Sequence, residues 1–208
     1  MSLLFIFDMD DVLYDYDWRV RMAGMTAMTG LSLPELRQRW WNDRGEWAAE
    51  AGGFAGAAEY LSALESAIGV AIDEDEWVRV RAAAMTPWPA SIDAVRRASE
   101  LGRITLLTNN GPLAHKHLAT FAPDLVELFD GHLFTSSHYG ARKPDPRVFE
   151  AVLAAYETPA RDAFFADDLA VNVAGAESIG ITGYHFGTAE GMLAAVEAFA
   201  AGPGSTAG

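Results

Sequence analysis

Three aspartates stand within four positions near the start of the sequence, directly after a short apolar run. The run covers residues 3–7, and Asp8, Asp10 and Asp11 follow it. A continuous apolar run predicts a buried parallel strand, and ligands of open α/β sheets bind at the C-terminal end of such strands. If Asp8 and Asp10 are held in one turn, one carboxylate can attack an electrophile while the other transfers protons. A divalent cation would relieve the repulsion between them.

Polar residues also follow or flank the later predicted strands, and these are Thr108 and Asn109, Lys143, and Asp167 and Asp168. Phosphoryl transfer needs this combination of groups. A carboxylate nucleophile opens the ester, and a second acid protonates the departing oxygen. A hydroxyl and a cation hold the phosphoryl oxygens, while hard oxygen ligands hold Mg²⁺. The four clusters together therefore predict a phosphoryl-transfer site.

The elements that must bring these clusters together are read from the apolar pattern. From Ala90 onward predicted strands and helices alternate, which indicates an α/β fold with a doubly wound parallel sheet of the Rossmann-like kind. The segment before it carries helical spacing without a convincing strand and closes at two prolines. We therefore expect residues 1–13 and 90–199 to form the α/β core, residues 14–89 a helical insertion, and residues 200–208 a flexible tail.

Composition limits the partners of the chain. Its 208 residues carry 15 Lys and Arg against 29 Asp and Glu, a formal net charge of −14, and no basic run occurs. Nucleic acid and anionic membranes are poor partners for such a charge. No cysteine is present, so zinc–thiolate sites and thiol nucleophiles are excluded. The first apolar run is too short for a signal peptide or a membrane span, so we expect a cytoplasmic protein, either a monomer or a homodimer.

The order and spacing of the motifs carry a family resemblance. The motifs are residues 8–13 (DMDDVL), 107–110 (LTNN), 143–146 (KPDP) and 165–168 (FADD), with Asn172 and Gly175 beyond them. From Phe5 to about Gly187 the chain resembles haloacid dehalogenase-like (HAD) hydrolases, in particular the phosphatase branch with a helical cap inserted after the first motif. It is similar to α-D-glucose-1-phosphate phosphatases and to the phosphatase domain of epoxide hydrolases.

The resemblance implies a catalytic role for each of five residues. Asp8 would attack phosphorus and form an aspartyl-phosphate. Asp10 would act first as general acid to the leaving group and then as general base to water. Thr108, Asn109 and Lys143 would bind the phosphoryl group, with Lys143 also neutralising Asp8.

The resemblance also implies Mg²⁺ as the cofactor. Its ligands would be Asp8, the main-chain carbonyl of Asp10, and Asp168, with Asp167 bound directly or through water. Asn172 would orient these ligands. One departure from the family pattern is Asp11, where many members have Gly; we interpret it as a solvated turn residue.

Residues of the insertion are candidates for reading the leaving group. Five of the six tryptophans lie in its body and the sixth, Trp88, lies at its exit, and most of them are expected to form its own hydrophobic core. We predict that Trp40, Asn42, Arg44 and Arg19 contact a sugar or another polar leaving group. Adjacent helical residues point apart, so at most one of Trp40 and Trp41 can do so.

These observations predict a Mg²⁺-dependent phosphatase acting on a small phosphorylated metabolite, with a sugar phosphate as the specific hypothesis. A hexose-phosphate mutase would use the same core residues and stays an alternative, as does a non-catalytic regulatory protein of the same fold. Dehalogenation is set aside because it needs no acid at the position of Asp10. Phosphonate cleavage needs a lysine from the cap, and residues 14–89 contain none.

Overall fold

The computed structural model describes residues 2–202. Its strands are β1 (Leu4–Phe7), β2 (Tyr14–Tyr16), β3 (Met85–Pro87), β4 (Arg103–Thr108), β5 (Leu133–Thr135), β6 (Ala163–Asp167) and β7 (Thr182–His185). Its α-helices are α1 (Trp18–Thr29), α2 (Leu33–Arg39), α3 (Glu46–Glu50), α4 (Ala57–Ile68), α5 (Glu74–Ala82), α6 (Pro89–Leu101), α7 (Pro112–Phe121), α8 (Val126–Phe129), α9 (Pro146–Ala155), α10 (Ala170–Glu177) and α11 (Ala189–Ala201).

The main sheet has five parallel strands in the order β5-β4-β1-β6-β7. Strand β1 is central, and its side chains alternate between two hydrophobic layers. Phe5 and Phe7 belong to one layer, and Leu4 and Ile6 to the other. A strand buried on both faces has no polar side, which explains its continuous apolar sequence. The predicted doubly wound α/β fold is thereby confirmed.

The segment between the first and second strands of this sheet is mainly helical, as expected, but two short strands flank it. Strands β2 and β3 pair antiparallel, with Tyr14 opposite Pro87 and Tyr16 opposite Met85. The sequence shows no convincing strand in this segment, because three-residue strands leave too little alternation to detect. Strand β2 starts at Tyr14, the first residue of the predicted insertion, and α6 starts at Pro89, one residue before the predicted second part of the core.

Two further boundaries differ from expectation. The apolar spacing predicts a helix over about residues 33–44, but α2 ends at Arg39. After it, Asn42 closes a turn by accepting from the main-chain amides of Arg44 and Gly45. Helix α11 continues to Ala201, so the start of the predicted flexible tail is helical. The rest of that tail, residues 203–208, lies outside the described residues.

An aromatic cluster holds the helices α2 to α5 together. Trp40 stacks on Phe54 at 5.9 Å between ring centroids and meets Tyr60 edge-on at 5.2 Å. Tyr60 in turn meets Trp77 edge-on at 6.3 Å. These rings join the same hydrophobic core as Phe5 and other residues on one face of the sheet. The helical segment is therefore packed directly on the α/β layers.

Hydropathy gives one further result. Among the helices of residues 2–202, none has both the length and the apolar character required to span a bilayer.

Close packing of α10 fixes the loop that carries Lys143. A Cβ atom added at Gly175 would lie 2.3 Å from the main-chain oxygen of Pro144, which is backbone and cannot rotate away. We expect Gly175→Ala to lower the free energy of unfolding by up to about 2 kcal/mol. The overpacking cost of about 1–3 kcal/mol exceeds the helix-propensity gain of about 1 kcal/mol.

Urea unfolding of the variant measures this loss. Gly187→Ala is the matched control, because a Cβ there meets nothing within 4 Å. Equal stability of the two variants would show that the loop adapts to α10 at no cost.

Candidate active site

A tight turn after β1 carries the first two aspartates. The Asp8 amide donates to the Ala166 carbonyl of β6 at 3.0 Å, which extends the sheet by one bond. The Met9 carbonyl then accepts from the amides of Leu13 and Tyr14 at 2.9 and 3.0 Å, which closes the turn. Asp8 is buried at the edge of the sheet, as expected for a residue at the end of a central strand.

Asp11 supports this turn. Its φ of 57° lies in the left-handed region, which Asp tolerates better than most residues. Its carboxylate accepts from the Tyr16 amide at 3.1 Å. Both features fit the turn role that its departure from the family pattern suggested.

Lys143 is buried between two carboxylates. Its Nζ lies 2.8 Å from Asp8 Oδ1 and 2.7 Å from Asp167 Oδ2, and the side chain is 1% exposed. Burial lowers the pKa of Lys143, but the charges of Asp8 and Asp167 outweigh it and leave this pKa above its ordinary value. The pKa of Asp8 is raised, chiefly by burial, although Lys143 opposes the shift. The structure thus brings the residues of three predicted clusters together.

The Asn109 side chain holds the backbone of this lysine. Its Nδ2 donates to the Lys143 carbonyl and its Oδ1 accepts from the Lys143 amide, both at 2.9 Å. These two bonds give the Asn109 side chain a positioning role toward Lys143. They use only one N–H of its Nδ2, so the predicted contact of Asn109 with a phosphoryl oxygen stays a prediction. Thr108 is buried beside it, and its Oγ1 accepts from Asn110 Nδ2 at 2.9 Å, which leaves its own O–H available as a donor.

Asp167 is tied to its surroundings at both oxygens. Oδ1 accepts from the Leu169 amide at 2.8 Å and from Asn172 Nδ2 at 2.9 Å, while Oδ2 receives Lys143. Asn172 therefore orients Asp167, in line with its predicted supporting role. Asp168 is half-buried, and burial followed by the charges of Asp167 and Asp11 raises its pKa to about 6.

The donor set fits Mg²⁺. Asp8, Asp167 and Asp168 each offer a carboxylate oxygen within 4.8 Å of the others, and hard oxygens are the ligands that Mg²⁺ prefers. Asp8 Oδ1 is buried and, among residues 2–202, no group donates a hydrogen bond to it with good geometry. Such an oxygen has a lone pair to offer. The Asp10 side chain is not part of this group and points elsewhere.

Asp10 pairs with Arg81, a residue that the sequence analysis missed. Arg81 Nη2 lies 2.8 Å from Oδ1 and 2.7 Å from Oδ2 of Asp10. The guanidinium stacks over the Tyr16 ring at 4.0 Å, and Arg81 is 3% exposed. A signal was available, because Arg81 follows the buried Trp77 of α5 by four positions and so shares its face.

A cavity of about 540 Å³ opens beside these groups, between the helical segment and the sheet edge. Its wall is mainly aromatic and acidic. The lining residues are Asp10, Tyr16, Trp18, Met22, Arg37, Trp41, Glu46, Trp47, Glu50, Asn109 and Asn110.

The predicted leaving-group residues are not in this wall. Trp40 is buried in the aromatic cluster, where its Nε1 donates to Glu46 at 2.7 Å. Asn42 is used in the turn after α2. Arg19 and Arg44 are exposed and do not border the cavity as the structure describes it. This prediction therefore needs correction: of the adjacent pair, Trp41 rather than Trp40 faces the cavity.

Comparison with known proteins decides the family. The model of the haloacid dehalogenase-like hydrolases matches residues 3–180. The chain belongs to this hydrolase family. The match spans all four motif clusters and the helical segment between the first two.

Two relatives of this HAD-like hydrolase extend the comparison. Phosphatase MT3486 of Mycobacterium tuberculosis is 31% identical over 188 residues, which cover 86% of this chain and 84% of the relative. The HAD family enzyme bt-2542 of Bacteroides thetaiotaomicron, solved with magnesium and inorganic phosphate, superposes with a TM-score of 0.72 at 18% identity. That superposition covers 88% of this chain and 93% of the other, and it shows a shared fold.

Glu50 in the cavity wall gives a pH prediction. Its Oε2 accepts from Arg142 Nε at 2.6 Å, yet burial, followed by the charge of Glu46, raises its pKa from 4.5 to about 7. The folded protein therefore holds the proton up to higher pH than the unfolded chain. Through this group stability falls as pH rises from 5 to 8, by about 1–3 kcal/mol. Glu50→Gln should remove this loss, so the variant gains stability relative to wild type as pH rises.

Urea unfolding at pH 5 and pH 8 measures the difference. Glu127→Gln, at an exposed glutamate of α8, is the control and should follow wild type. If the Glu50 variant also follows wild type at both pH values, the proton does not stay on Glu50.

Proposed function

We propose that this HAD-like hydrolase is a phosphatase that cleaves the phosphomonoester of a small metabolite through a phosphorylated Asp8. One observation carries the proposal: the carboxylates of Asp8 and Asp168 and the Lys143 ammonium meet at the C-terminal edge of the sheet. The relative from M. tuberculosis, named a phosphatase, supports the same reaction.

In the first step an Asp8 oxygen attacks phosphorus and the bond to the leaving oxygen breaks. Asp10 donates a proton to that oxygen. Lys143 and the Thr108 hydroxyl bind the phosphoryl oxygens, and Lys143 offsets the charge that gathers around Asp8. Lys143 can do this without moving, because its ammonium is already 2.8 Å from the nucleophile.

Mg²⁺ would be held by Asp8, Asp168 and the main-chain carbonyl of Asp10, with Asp167 nearby. When bound, the ion supplies positive charge that draws phosphate to two carboxylates and stabilises the transition state. Asp167 already shares its oxygens with Lys143 and Asn172, so we assign it chiefly to holding Lys143.

In the second step water attacks the phosphorus of the aspartyl-phosphate. The bond from phosphorus to Asp8 breaks, and Asp10 accepts the proton of the water. Free phosphate leaves and Asp8 is regenerated as a carboxylate. Asp10 thus serves as acid and then as base, which keeps the protons balanced over one cycle.

Residues 14–89 would act as a cap over this site, with β2 and β3 as the connections to the core. The cavity under these helices offers aromatic faces at Trp18, Trp41 and Trp47 and carboxylates at Glu46 and Glu50. A sugar can stack its apolar ring face on the indole rings, and its hydroxyls can donate hydrogen bonds to the carboxylates. A sugar phosphate is accordingly the substrate class that we propose.

The nucleophile is tested first. With 4-nitrophenyl phosphate and Mg²⁺ we expect turnover that Asp8→Asn lowers by at least about 1,000-fold, because the amide cannot form the acyl phosphate. Removal of Mg²⁺ by a chelator should abolish wild-type activity. Phosphate release measures both.

Asp11→Asn is the matched control, since it removes a carboxylate three positions from Asp8 while keeping the turn geometry that Asn also tolerates. It should stay within about threefold of wild type. Turnover by Asp8→Asn at the wild-type rate would contradict the proposed nucleophile.

The leaving-group assignment is tested on a panel of phosphorylated metabolites. We expect the best substrate to be a sugar phosphate and Trp41→Ala to raise its KM by about tenfold through lost stacking. Trp88→Ala is the control, because Trp88 stacks on Phe186 away from this cavity. Assay of free phosphate against isomerised sugar distinguishes hydrolysis from a mutase. An unchanged KM in the Trp41 variant would overturn this assignment.

A further inference from the structure

We propose that Arg81 is a positioning residue for Asp10. Hydrolysis of the phosphorylated enzyme then depends on α5 staying packed against the sheet edge, because α5 carries Arg81. The inference rests on the proposed function, because it concerns the second step of that reaction. It starts from one contact: a single nitrogen of Arg81, Nη2, holds both carboxylate oxygens of Asp10, at 2.8 and 2.7 Å.

The guanidinium has little freedom to be anywhere else. It is stacked on the Tyr16 ring at 4.0 Å and lies 5.4 Å from the centre of the Phe121 ring. Arginine keeps its charge even when buried, so the cation requires a counter-charge. Within the described residues, Nη1 of Arg81 has no hydrogen-bond partner. The carboxylate of Asp10 is therefore the main compensation for this charge.

The contact fixes the orientation of the carboxylate. Asp10 follows Asp8 by two positions on a turn whose backbone is closed by the Met9 carbonyl. The backbone of the turn fixes the position of the Asp10 Cα atom, and Arg81 fixes the position of the Asp10 carboxylate. A general base must stay within hydrogen-bond reach of the water that it activates, and a displacement of about 1 Å can cost a hundredfold in rate.

Arg81 belongs to the helical segment, whereas Asp10 belongs to the sheet edge. One turn after Arg81 the chain enters β3, and just before that strand the Ala84 carbonyl accepts from the Asp17 amide at 2.9 Å. The ion pair thus spans both connections between the two parts of the fold. While α5 is packed against the sheet edge, Arg81 holds the Asp10 carboxylate. If α5 moves away, this carboxylate loses its ion-pair partner.

This geometry predicts which step suffers when Arg81 is removed. In the second step the bond from water oxygen to phosphorus forms, the bond from phosphorus to Asp8 breaks, and the water proton passes to Asp10. In the first step with 4-nitrophenyl phosphate the leaving group is a weak base and needs no proton. Loss of orientation at Asp10 should therefore slow the second step and spare the first.

Stopped-flow measurements with 4-nitrophenyl phosphate and Mg²⁺ test the inference. For Arg81→Met we expect a first-turnover rate within about threefold of wild type and a kcat lower by about 10- to 100-fold. Phosphorylated enzyme should accumulate as a burst of nitrophenolate. Arg81→Lys keeps a cation without the guanidinium and should show a smaller fall in kcat.

Arg21→Met is the matched control. Arg21 is also 3% exposed, lies in the same helical segment and stacks on an indole ring, that of Trp77 at 4.4 Å, but it donates to a main-chain oxygen rather than to Asp10. It should lower the melting temperature and leave the ratio of the two steps unchanged. A burst in the Arg21 variant equal to that of Arg81→Met would show that general destabilisation slows the second step, and it would overturn the inference.

A double variant checks that Arg81 acts through Asp10. In the Asp10→Asn background, Arg81→Met should change kcat by less than about twofold, because the group that it positions is already gone. Full additivity would overturn the inference. If Arg81→Met does not fold, Arg81→Lys decides: an unchanged kcat there would also overturn it. Failure of wild type to release phosphate would instead reject the proposed function.

Discussion

The buried ammonium of Lys143 is the interaction on which the rest of the site depends. It lies 2.8 Å from Asp8 and 2.7 Å from Asp167, and all three are nearly removed from water. Two carboxylates this close repel each other strongly in a medium of low dielectric constant. Removal of one partner of such a group typically costs about 3–5 kcal/mol because a charge is left unpaired. Asp8, the nucleophile that we propose, therefore requires that three loops far apart in the sequence lie close together.

The order of the strands explains how these loops meet. Strand β1 lies between β4 and β6, so the residues that follow these three strands emerge side by side. Asn109, which follows β4, reaches across to both main-chain groups of Lys143, and Asn172 of α10 holds Asp167. Through these hydrogen bonds, each of the two amides fixes a charged residue relative to a strand or a helix.

The sequence was sufficient to place residues that directly follow the end of a strand. Asp8 and Asp167 were found because a parallel strand buried on both faces has a distinct apolar sequence, and its C-terminal end is where ligands bind. Trp40 was misassigned because a helical pattern gives relative directions but not which side faces the core. The helical spacing of Arg81 from Trp77 indicated a buried position, but its partner Asp10 stands 71 positions earlier, so the spacing did not identify the contact. The short strands β2 and β3 were not detected either, because three residues leave too little alternation and each strand is stabilised by pairing with the other.

The pair of Arg81 and Asp10 is difficult to explain by stability alone. Burying a charged pair costs desolvation free energy that its attraction often only balances, and apolar residues of similar volume are frequently as stable or more so. The surroundings of Arg81, the rings of Tyr16 and Phe121, would accept such an apolar side chain. A methionine there would fill the space but could not hold a carboxylate. The guanidinium of Arg81, which belongs to the helical segment, instead fixes the orientation of the Asp10 carboxylate at the sheet edge. The helical segment and the sheet edge are thereby joined at Asp10, the group that we propose transfers the proton, where positional accuracy has a large effect on rate.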